Sequence, residues 1–218
     1  MRRKDIFNGR VTLPASSTMT TYPTGSVLDR RSTKVMITAV FTALALATNY
    51  ALIGIPNVKI MDTLVFIAAL FFGLRLGIGV AASVWLVYGF VNPNGVDTFL
   101  MLSFLMVGEC FYALAGVALK KSFVTRDLVK GTKEYQRLSI IFGLVGLLST
   151  FAYDALTNFG SWIFRTGSLY QDFVFGNIIG VPFSIAHEAS NVIFFAAVAP
   201  AIVVAATRLG LRAPLEVA

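Results

Sequence analysis

The chain has 218 residues, of which 56% are hydrophobic and 13% are charged, and its mean hydropathy is +0.76. Soluble domains carry about 25% charged residues, so this composition predicts an integral, multi-pass protein of the lipid bilayer. A single cysteine, Cys110, excludes an intrachain disulfide framework and a thiolate metal site. The net charge of +7 does not predict a nucleic-acid partner, because basic residues in so apolar a chain more often mark cytoplasmic loops.

Residues 1–34 are basic and rich in Ser, Thr and Pro, as in "TLPASSTMTTYPTGS". They contain no apolar core of the kind that a secretory signal has. We predict a flexible cytoplasmic tail, with binding to the membrane surface through its arginines as the alternative. The membrane domain is predicted to occupy residues 35–208, and residues 209–218 form a short second tail.

Four apolar runs have a length near the roughly 20 residues that a helix needs to cross a bilayer. They are residues 35–53, 98–119, 138–159 and 186–206. Each of these runs is predicted to be a transmembrane helix.

A fifth run, 62–91, is interrupted near its middle by Arg75 in "FFGLRLGIG". It is either one tilted helix with an arginine in the hydrocarbon, or two short helices of about 12 and 15 residues joined by a glycine turn. The hairpin gives six spans and places 16 of the 18 Lys and Arg residues on one side, as the positive-inside rule requires. We therefore predict an all-α, six-helix transmembrane bundle with a short second and third helix and with both termini cytoplasmic.

Polar residues of the last two spans share helical faces near the predicted outer end. Asp154, Asn158 and Trp162 follow one another at spacings of four on the fifth span. His187 and Asn191 have the same spacing on the sixth span and are predicted at the same level as Asn158 and Trp162. The two faces can converge on one external cavity, although hydrogen bonds between helices are the alternative role for these groups.

Three further charged residues are candidates for the same site. Glu188 is next to the histidine, and Glu109 lies near mid-depth, either as a structural partner or as a site residue. Lys59, in the outer loop "GIPNVKIMD", is either part of a flap over the cavity or an interfacial anchor.

The segment 165–184 is rich in Gly and aromatic residues and is predicted to be a loop that can fold over the cavity. Asp62 is predicted at or beyond the outer end of its helix. Aromatic residues such as Tyr112 and Tyr153 are predicted to be core or lipid contacts.

The stretch "HEASN" begins like the helix motif of zinc proteases, which needs a second histidine four residues after the first. That position is Asn191, and His187 is the only histidine in the chain, so a zinc site with ordinary histidine ligands cannot be assembled. No GxxxxGK[ST] phosphate-binding sequence occurs, so any dependence on ATP must come from a partner. We predict that the chain is not an enzyme and that it has neither a metal nor a cofactor.

The first span reads "TAVFTALALATNYAL", in which Ala39, Ala43 and Ala47 form a smooth ridge where another helix can approach closely. The other notable stretches are "GIPNVKIMD", the hairpin turn "AALFFGLRLGIGV", "YDALTN" on the fifth span and "VPFSIAHEASNVIFF" before the sixth. With these features the chain, over residues 35–208, resembles the substrate-binding S components of energy-coupling factor (ECF) vitamin transporters.

The resemblance implies a subunit of the plasma membrane that captures a water-soluble vitamin or related micronutrient at the external face. Uptake would be driven by two ABC-type ATPases through a transmembrane coupling subunit, on which the alanines of the first span would dock. The residues that would contact the ligand are Lys59, Glu109, Asp154, Asn158, Trp162, His187, Glu188 and Asn191.

Two other classes of function stay open. One is a non-transporting structural subunit, in which protein seals the polar face and no vitamin-like molecule binds. The other is an autonomous secondary carrier, in which Glu109 and Asp154 relay protons and uptake needs no ATP. For a transported ligand, the combination of aromatic residues with mixed donors and acceptors suits a flat heterocycle with polar substituents. The sequence shows neither a dominant basic cluster that would bind a phosphate nor a strong acidic cage that would bind a cation.

Overall fold

The computed structural model describes residues 30–92, 95–123 and 130–209. Within them there are six α-helices and no β-strand. The helices are α1 (Arg31–Ala51), α2 (Met61–Phe72), α3 (Leu74–Tyr88), α4 (Phe99–Phe123), α5 (Lys133–Trp162) and α6 (Leu169–Arg208). By length and composition, α1, α4, α5 and α6 can cross a membrane. The chain is an all-helical, multi-pass membrane protein.

Most of both predicted tails falls outside the described residues, namely 1–29 and 210–218. α1 begins at Arg31, four residues before the start of the predicted membrane domain. The preceding residue, Arg30, has an extended backbone with ψ 133°, which marks the point where the helix starts.

The predicted hairpin is present in the structure. Its two helices, α2 and α3, have 12 and 15 residues, and the turn between them is the single residue Gly73 with φ 92°. A positive φ costs glycine little, whereas other residues rarely adopt it. Arg75 is exposed in the first turn of α3 and lines a groove with Lys34 of α1, and Gly73 lies beside the Lys120 ammonium of α4. We call this end of the bundle the basic end.

The short helix α2 is the centre of the bundle. Every residue from Met61 to Phe71 is buried, and the helix contacts α1, α3, α4 and α6. Phe66 meets the rings of Phe142 and Phe195 with centroid distances of 5.1 and 5.0 Å. A helix that is apolar on all sides is stable only when other elements enclose it, which explains how a helix too short to span a bilayer fits into this fold.

Helices α5 and α6 form a long antiparallel pair. Glycines allow the two backbones to approach closely, since Gly176 and Gly180 of α6 pack against Asn158, and Gly146 of α5 packs against Phe195. α6 continues for 40 residues through two internal prolines. At 1.5 Å per residue this is about 60 Å, roughly twice the thickness of the hydrocarbon core.

The prediction of a loop at 165–184 is wrong, because the chain is helical from Leu169 onward. The glycines that suggested a loop instead provide the contact surface with α5. Only a short turn separates the two helices. The Asp172 carboxylate holds this turn by accepting hydrogen bonds from the backbone N–H groups of Phe164, Arg165 and Thr166 at 2.8–3.2 Å.

Candidate functional site

A cavity of about 480 Å³ lies where α1 and α3 end and α4 begins, and we call it the polar cavity. The loop after α1 and the C-terminal half of α5 complete its wall. Its lining includes Lys59, Trp85, Tyr88, Asp97, Tyr153, Asp154, Asn158 and Phe183. Sites for small molecules typically have volumes of about 300–1,000 Å³, so the polar cavity can hold one.

Beneath Asp154, a fully buried histidine joins two carboxylates. His187 Nδ1 lies 2.8 Å from Asp154 Oδ1, and Nε2 lies 2.7 Å from Asp62 Oδ2. Since neither carboxylate can donate a proton when ionised, either the histidine is an imidazolium or one carboxyl group is protonated. Asn191 Nδ2 donates to Asp62 Oδ2 at 2.8 Å. We call these four residues the histidine network; it connects α2, α5 and α6.

Two hydroxyl groups extend the histidine network to α4. Asn191 Nδ2 also lies 2.8 Å from Thr150 Oγ1 and 3.3 Å from the Tyr112 hydroxyl oxygen. The Tyr112 hydroxyl donates to Thr150 Oγ1 at 3.1 Å, and Thr150 in turn donates to the Gly146 carbonyl at 2.7 Å. Buried polar groups are stable only when hydrogen-bonded, so these contacts fix the relative positions of the helices.

Two aromatic rings connect the histidine network to the polar cavity. Tyr153 meets His187 edge-on with a centroid distance of 5.5 Å, and Trp85 lies nearly parallel to Tyr153 at 6.4 Å. Lys59 Nζ lies 5.4 Å from the centroid of Trp85 and 5.0 Å from that of Tyr153. Both distances are within the roughly 6 Å range of cation–π attraction.

Glu109 is fully buried behind Trp85, whose indole Nε1 donates to Glu109 Oε2 at 3.0 Å. Its side chain does not belong to the lining of the polar cavity. Glu109 Oε1 and Asp62 Oδ1 have no hydrogen-bond partner among the described residues. The geometry therefore makes Glu109 a support for Trp85.

Four lining residues carry polar atoms that are buried and have no hydrogen-bond partner in the described part of the chain. These atoms are Asn49 Nδ2, Asp154 Oδ2, Asp97 Oδ2 and the Tyr153 hydroxyl. Burial also raises the pKa of the Asp97 carboxyl. An unsatisfied buried polar group costs about 1–3 kcal/mol, and a ligand that supplied the missing partners would recover that free energy.

The loop between α1 and α2 is attached to α6. Asn57 Nδ2 donates to the Phe183 carbonyl at 3.2 Å, and Ser190 Oγ lies 3.4 Å from the Asn57 carbonyl. Asn57 has φ 56°, a left-handed conformation that Asn tolerates better than most residues. This attachment holds Lys59 over the aromatic rings.

The structure brings together five of the eight residues predicted to contact a ligand. Lys59, Asp154 and Asn158 line the polar cavity, with the Asn158 amide donating to Ser184 Oγ at 3.1 Å. His187 and Asn191 lie in the network below Asp154. His187 is therefore placed to orient Asp154, and Asn191 is placed to hold Asp62. Neither residue forms the wall itself.

The other three predicted residues are not in the wall of the polar cavity. Glu109 lies behind Trp85, as described above. Trp162 packs against Phe175 and Gly176, and Glu188 is half-buried beside the histidine network. The predicted level of His187 was also wrong. Antiparallel pairing of α5 and α6 places His187 beside Asp154, about two turns from the level of Trp162.

Sequence reasoning missed four residues of this region. Asp62, predicted at an outer helix end, is at the centre of the network, and Trp85 was not considered. Tyr112 and Tyr153 are more than core or lipid contacts, because Tyr112 belongs to the hydrogen-bonded group and Tyr153 lines the polar cavity. One signal was available, since Asp62 is the only charged residue of the otherwise apolar helix "MDTLVFIAALFF".

The three alanines of the predicted ridge are exposed on one face of α1, and we call Ala39, Ala43 and Ala47 the alanine ridge. Ala39 and Ala43 line a groove of about 590 Å³ between α1 and α3. Lys34 and Arg75 lie at the same groove, which therefore reaches the basic end. The alanine ridge is thus free of other helices within the described residues.

Comparisons with protein-family models, curated proteins and solved structures gave no match. In the described ranges, no group of three or more His, Cys, Asp or Glu residues is arranged to hold a metal ion. The function must therefore be argued from the polar cavity, the histidine network and the alanine ridge.

Proposed function

We propose that the chain is the membrane-embedded substrate-binding S subunit of an ECF-type transporter. It would capture a water-soluble vitamin or related micronutrient in the polar cavity for uptake driven by partner subunits. The observation that carries this proposal is a cavity of ligand size whose lining contains four buried polar atoms without partners among the described residues. A purely structural subunit has no need for such atoms, because each one is costly to bury.

The proposed orientation has six membrane-crossing helices, with both termini in the cytoplasm and the polar cavity facing outward. Its support is the basic end, where Lys34, Arg75 and Lys120 come from three different helices. Cytoplasmic loops of membrane proteins carry the excess of Lys and Arg. The polar cavity is formed at the other ends of α1 and α3, so in the proposed orientation it would open to the external solution of the plasma membrane.

The proposed partners are a transmembrane coupling subunit and two ABC-type ATPases. The alanine ridge supports this part of the proposal, since small residues let a neighbouring helix approach the backbone closely. The chain has no phosphate-binding loop of its own, so the ATP-hydrolysing step would take place on the ATPases.

Purification of the tagged chain from its native membranes tests the assignment. We expect the two ATPases and the coupling subunit to co-purify, and mass spectrometry to detect a small heterocyclic molecule retained by the chain. Uptake of that molecule should stop when the ATP-hydrolysing residues of the ATPases are mutated. Uptake that continues with inactive ATPases would overturn the proposal.

One observation favours a second candidate, a proton-coupled carrier. The Asp154–His187–Asp62 contacts form a continuous path for a proton from the polar cavity into the bundle. Vesicles that contain the chain alone distinguish the two candidates. A carrier would accumulate the ligand without ATP and lose it on addition of an uncoupler, whereas an S subunit would bind the ligand without accumulating it.

A further inference from the structure

We propose that the polar cavity binds a planar nitrogen heteroaromatic that carries N–H donors or a positive charge, and that it rejects phosphorylated forms of the same ring. This inference rests on the proposed ligand-binding function and specifies the chemical class of the ligand.

The charges in and below the polar cavity favour a donor or a cation. Three carboxyl groups, those of Asp62, Asp97 and Asp154, lie there with two groups that can be cationic, Lys59 and His187. His187 is enclosed between two of the carboxylates and has no N–H left for a ligand. Among the described residues of the lining, Lys59 is the only basic one, so a phosphate would find one cation and two acidic neighbours, Asp97 and Asp154.

The unsatisfied atoms define the edge that the ligand must present. Asp154 Oδ1 is occupied by His187, which orients the carboxylate and leaves Oδ2 without a donor. Asp97 Oδ2 also has no donor among the described residues. Two acceptor oxygens require N–H groups on the ligand, and the Tyr153 hydroxyl can either donate or accept. Asn49 Nδ2, the fourth unsatisfied atom of the lining, can donate to one acceptor on the same ligand.

The aromatic rings define the shape and the charge of the ligand. Trp85 and Tyr153 present ring faces to the Lys59 ammonium, so the chain itself places a cation on these faces. A planar heteroaromatic ring stacks on such surfaces, and a positively charged ring gains the additional cation–π attraction. Acceptor oxygens beside aromatic faces therefore select a flat ring with donors at its edge.

Binding by the purified chain in lipid nanodiscs tests this inference, measured by calorimetry. The probes are a cationic thiazolium joined to an aminopyrimidine (thiamine), a neutral purine rich in donors (guanosine), and the anionic phosphorylated form of each (thiamine diphosphate and guanosine monophosphate). We expect at least one of the first two probes to bind at least about 10-fold more tightly than either anion, which corresponds to about 1.4 kcal/mol. An anion that binds as tightly as the better of the first two probes would overturn the inference and leave the proposed function intact. Failure of all four probes, together with the absence of any retained small molecule, would overturn both.

Two conservative variants assign the selectivity to named atoms. Tyr153→Phe and Asp97→Asn each remove an unsatisfied group without changing the size of the side chain, so the thermal unfolding temperature should not fall. Each should weaken binding of the preferred probe about 3- to 10-fold. Asp97→Asn should also reduce the ratio between the affinity for thiamine and the affinity for thiamine diphosphate. The control is Glu134→Gln, which removes an exposed acidic group in the first turn of α5, at the end of that helix far from the polar cavity, and should leave every affinity unchanged. Unchanged affinities in Tyr153→Phe and Asp97→Asn would overturn the assignment.

Discussion

The histidine network and the alanine ridge are built in opposite ways. In the network, His187 and two carboxylates are buried and each is held by hydrogen bonds of 2.7–2.8 Å. On the ridge, three alanines are exposed and present only methyl groups. The network is stabilised by hydrogen bonds between its side chains, whereas the ridge allows close approach of another helix because its side chains are small. Truncating side chains should therefore damage the first region, whereas enlarging them should damage the second.

The largest loss of stability is expected for His187→Ala. The substitution leaves Asp62 and Asp154 buried without the group that joins them, and breaking a buried ion pair costs about 3–5 kcal/mol. Chemical unfolding in detergent measures this free energy. The matched control is Tyr170→Ala, which removes a ring from the same helix at a position that is 77% exposed, and we expect a change within about 0.5 kcal/mol. Equal stability of the two variants would contradict the structural importance of the network.

An intermediate loss is expected for Gly116→Val, at the buried contact between α4 and α2. A side chain there would collide with the backbone carbonyl of Phe66 on α2, and overpacking of this kind costs about 1–3 kcal/mol. Gly54→Val is the control, because no atom lies within 4 Å of the position that its Cβ would take. The thermal unfolding temperatures of the two variants should differ by several degrees. If they unfold at the same temperature, α2 and α4 are not packed as closely as described.

The smallest effect is expected for Asn57→Ala, which affects how the polar cavity is closed. The variant loses the hydrogen bond to the Phe183 carbonyl and places alanine at φ 56°. Loss of one hydrogen bond costs about 1 kcal/mol, so we expect ligand to dissociate about 5-fold faster with little change in its association rate. Stopped-flow measurements with the retained ligand give both rates. A dissociation rate equal to that of the unmodified chain would show that the loop does not close the polar cavity.

The hairpin could be predicted from the sequence because the signal is local. Arg75 and the glycines around it cannot lie inside a single apolar helix at low cost, and the structure contains two helices of 12 and 15 residues with their turn at Gly73. Helical periodicity also predicted that the faces carrying Asp154 and His187 meet, but it did not predict that these two residues lie at the same level.

The N-terminal part of α6 could not be predicted because tertiary packing decides it. Gly176, Gly180 and Pro182 are typical of loops when only neighbours in the sequence are considered. In the structure, the two glycines instead make room for Asn158 of α5, and the helix continues past the proline. Close contact between two long helices thus overrides a local preference against helix.

Asp62 and Tyr153 were misplaced for geometric reasons. Asp62 begins an apolar run, which suggested a position at the membrane surface, but α2 starts inside the bundle beneath the Lys59 loop and its first turn is buried. Tyr153 is adjacent to Asp154 and therefore about 100° away around the helix, so helical periodicity assigns the two residues to different faces. The polar cavity is wide enough to be lined by both.

Uptake and ligand binding, measured side by side in Ala43→Trp, test whether the alanine ridge docks on a coupling subunit. Tryptophan on the alanine ridge should block the approach of the proposed coupling subunit while leaving the polar cavity unchanged. We expect ATP-dependent uptake to be lost and the retained ligand to bind with unchanged affinity. Leu148→Trp, at a position of α5 that is 68% exposed, is the matched control and should retain uptake. Full uptake by Ala43→Trp would contradict the account.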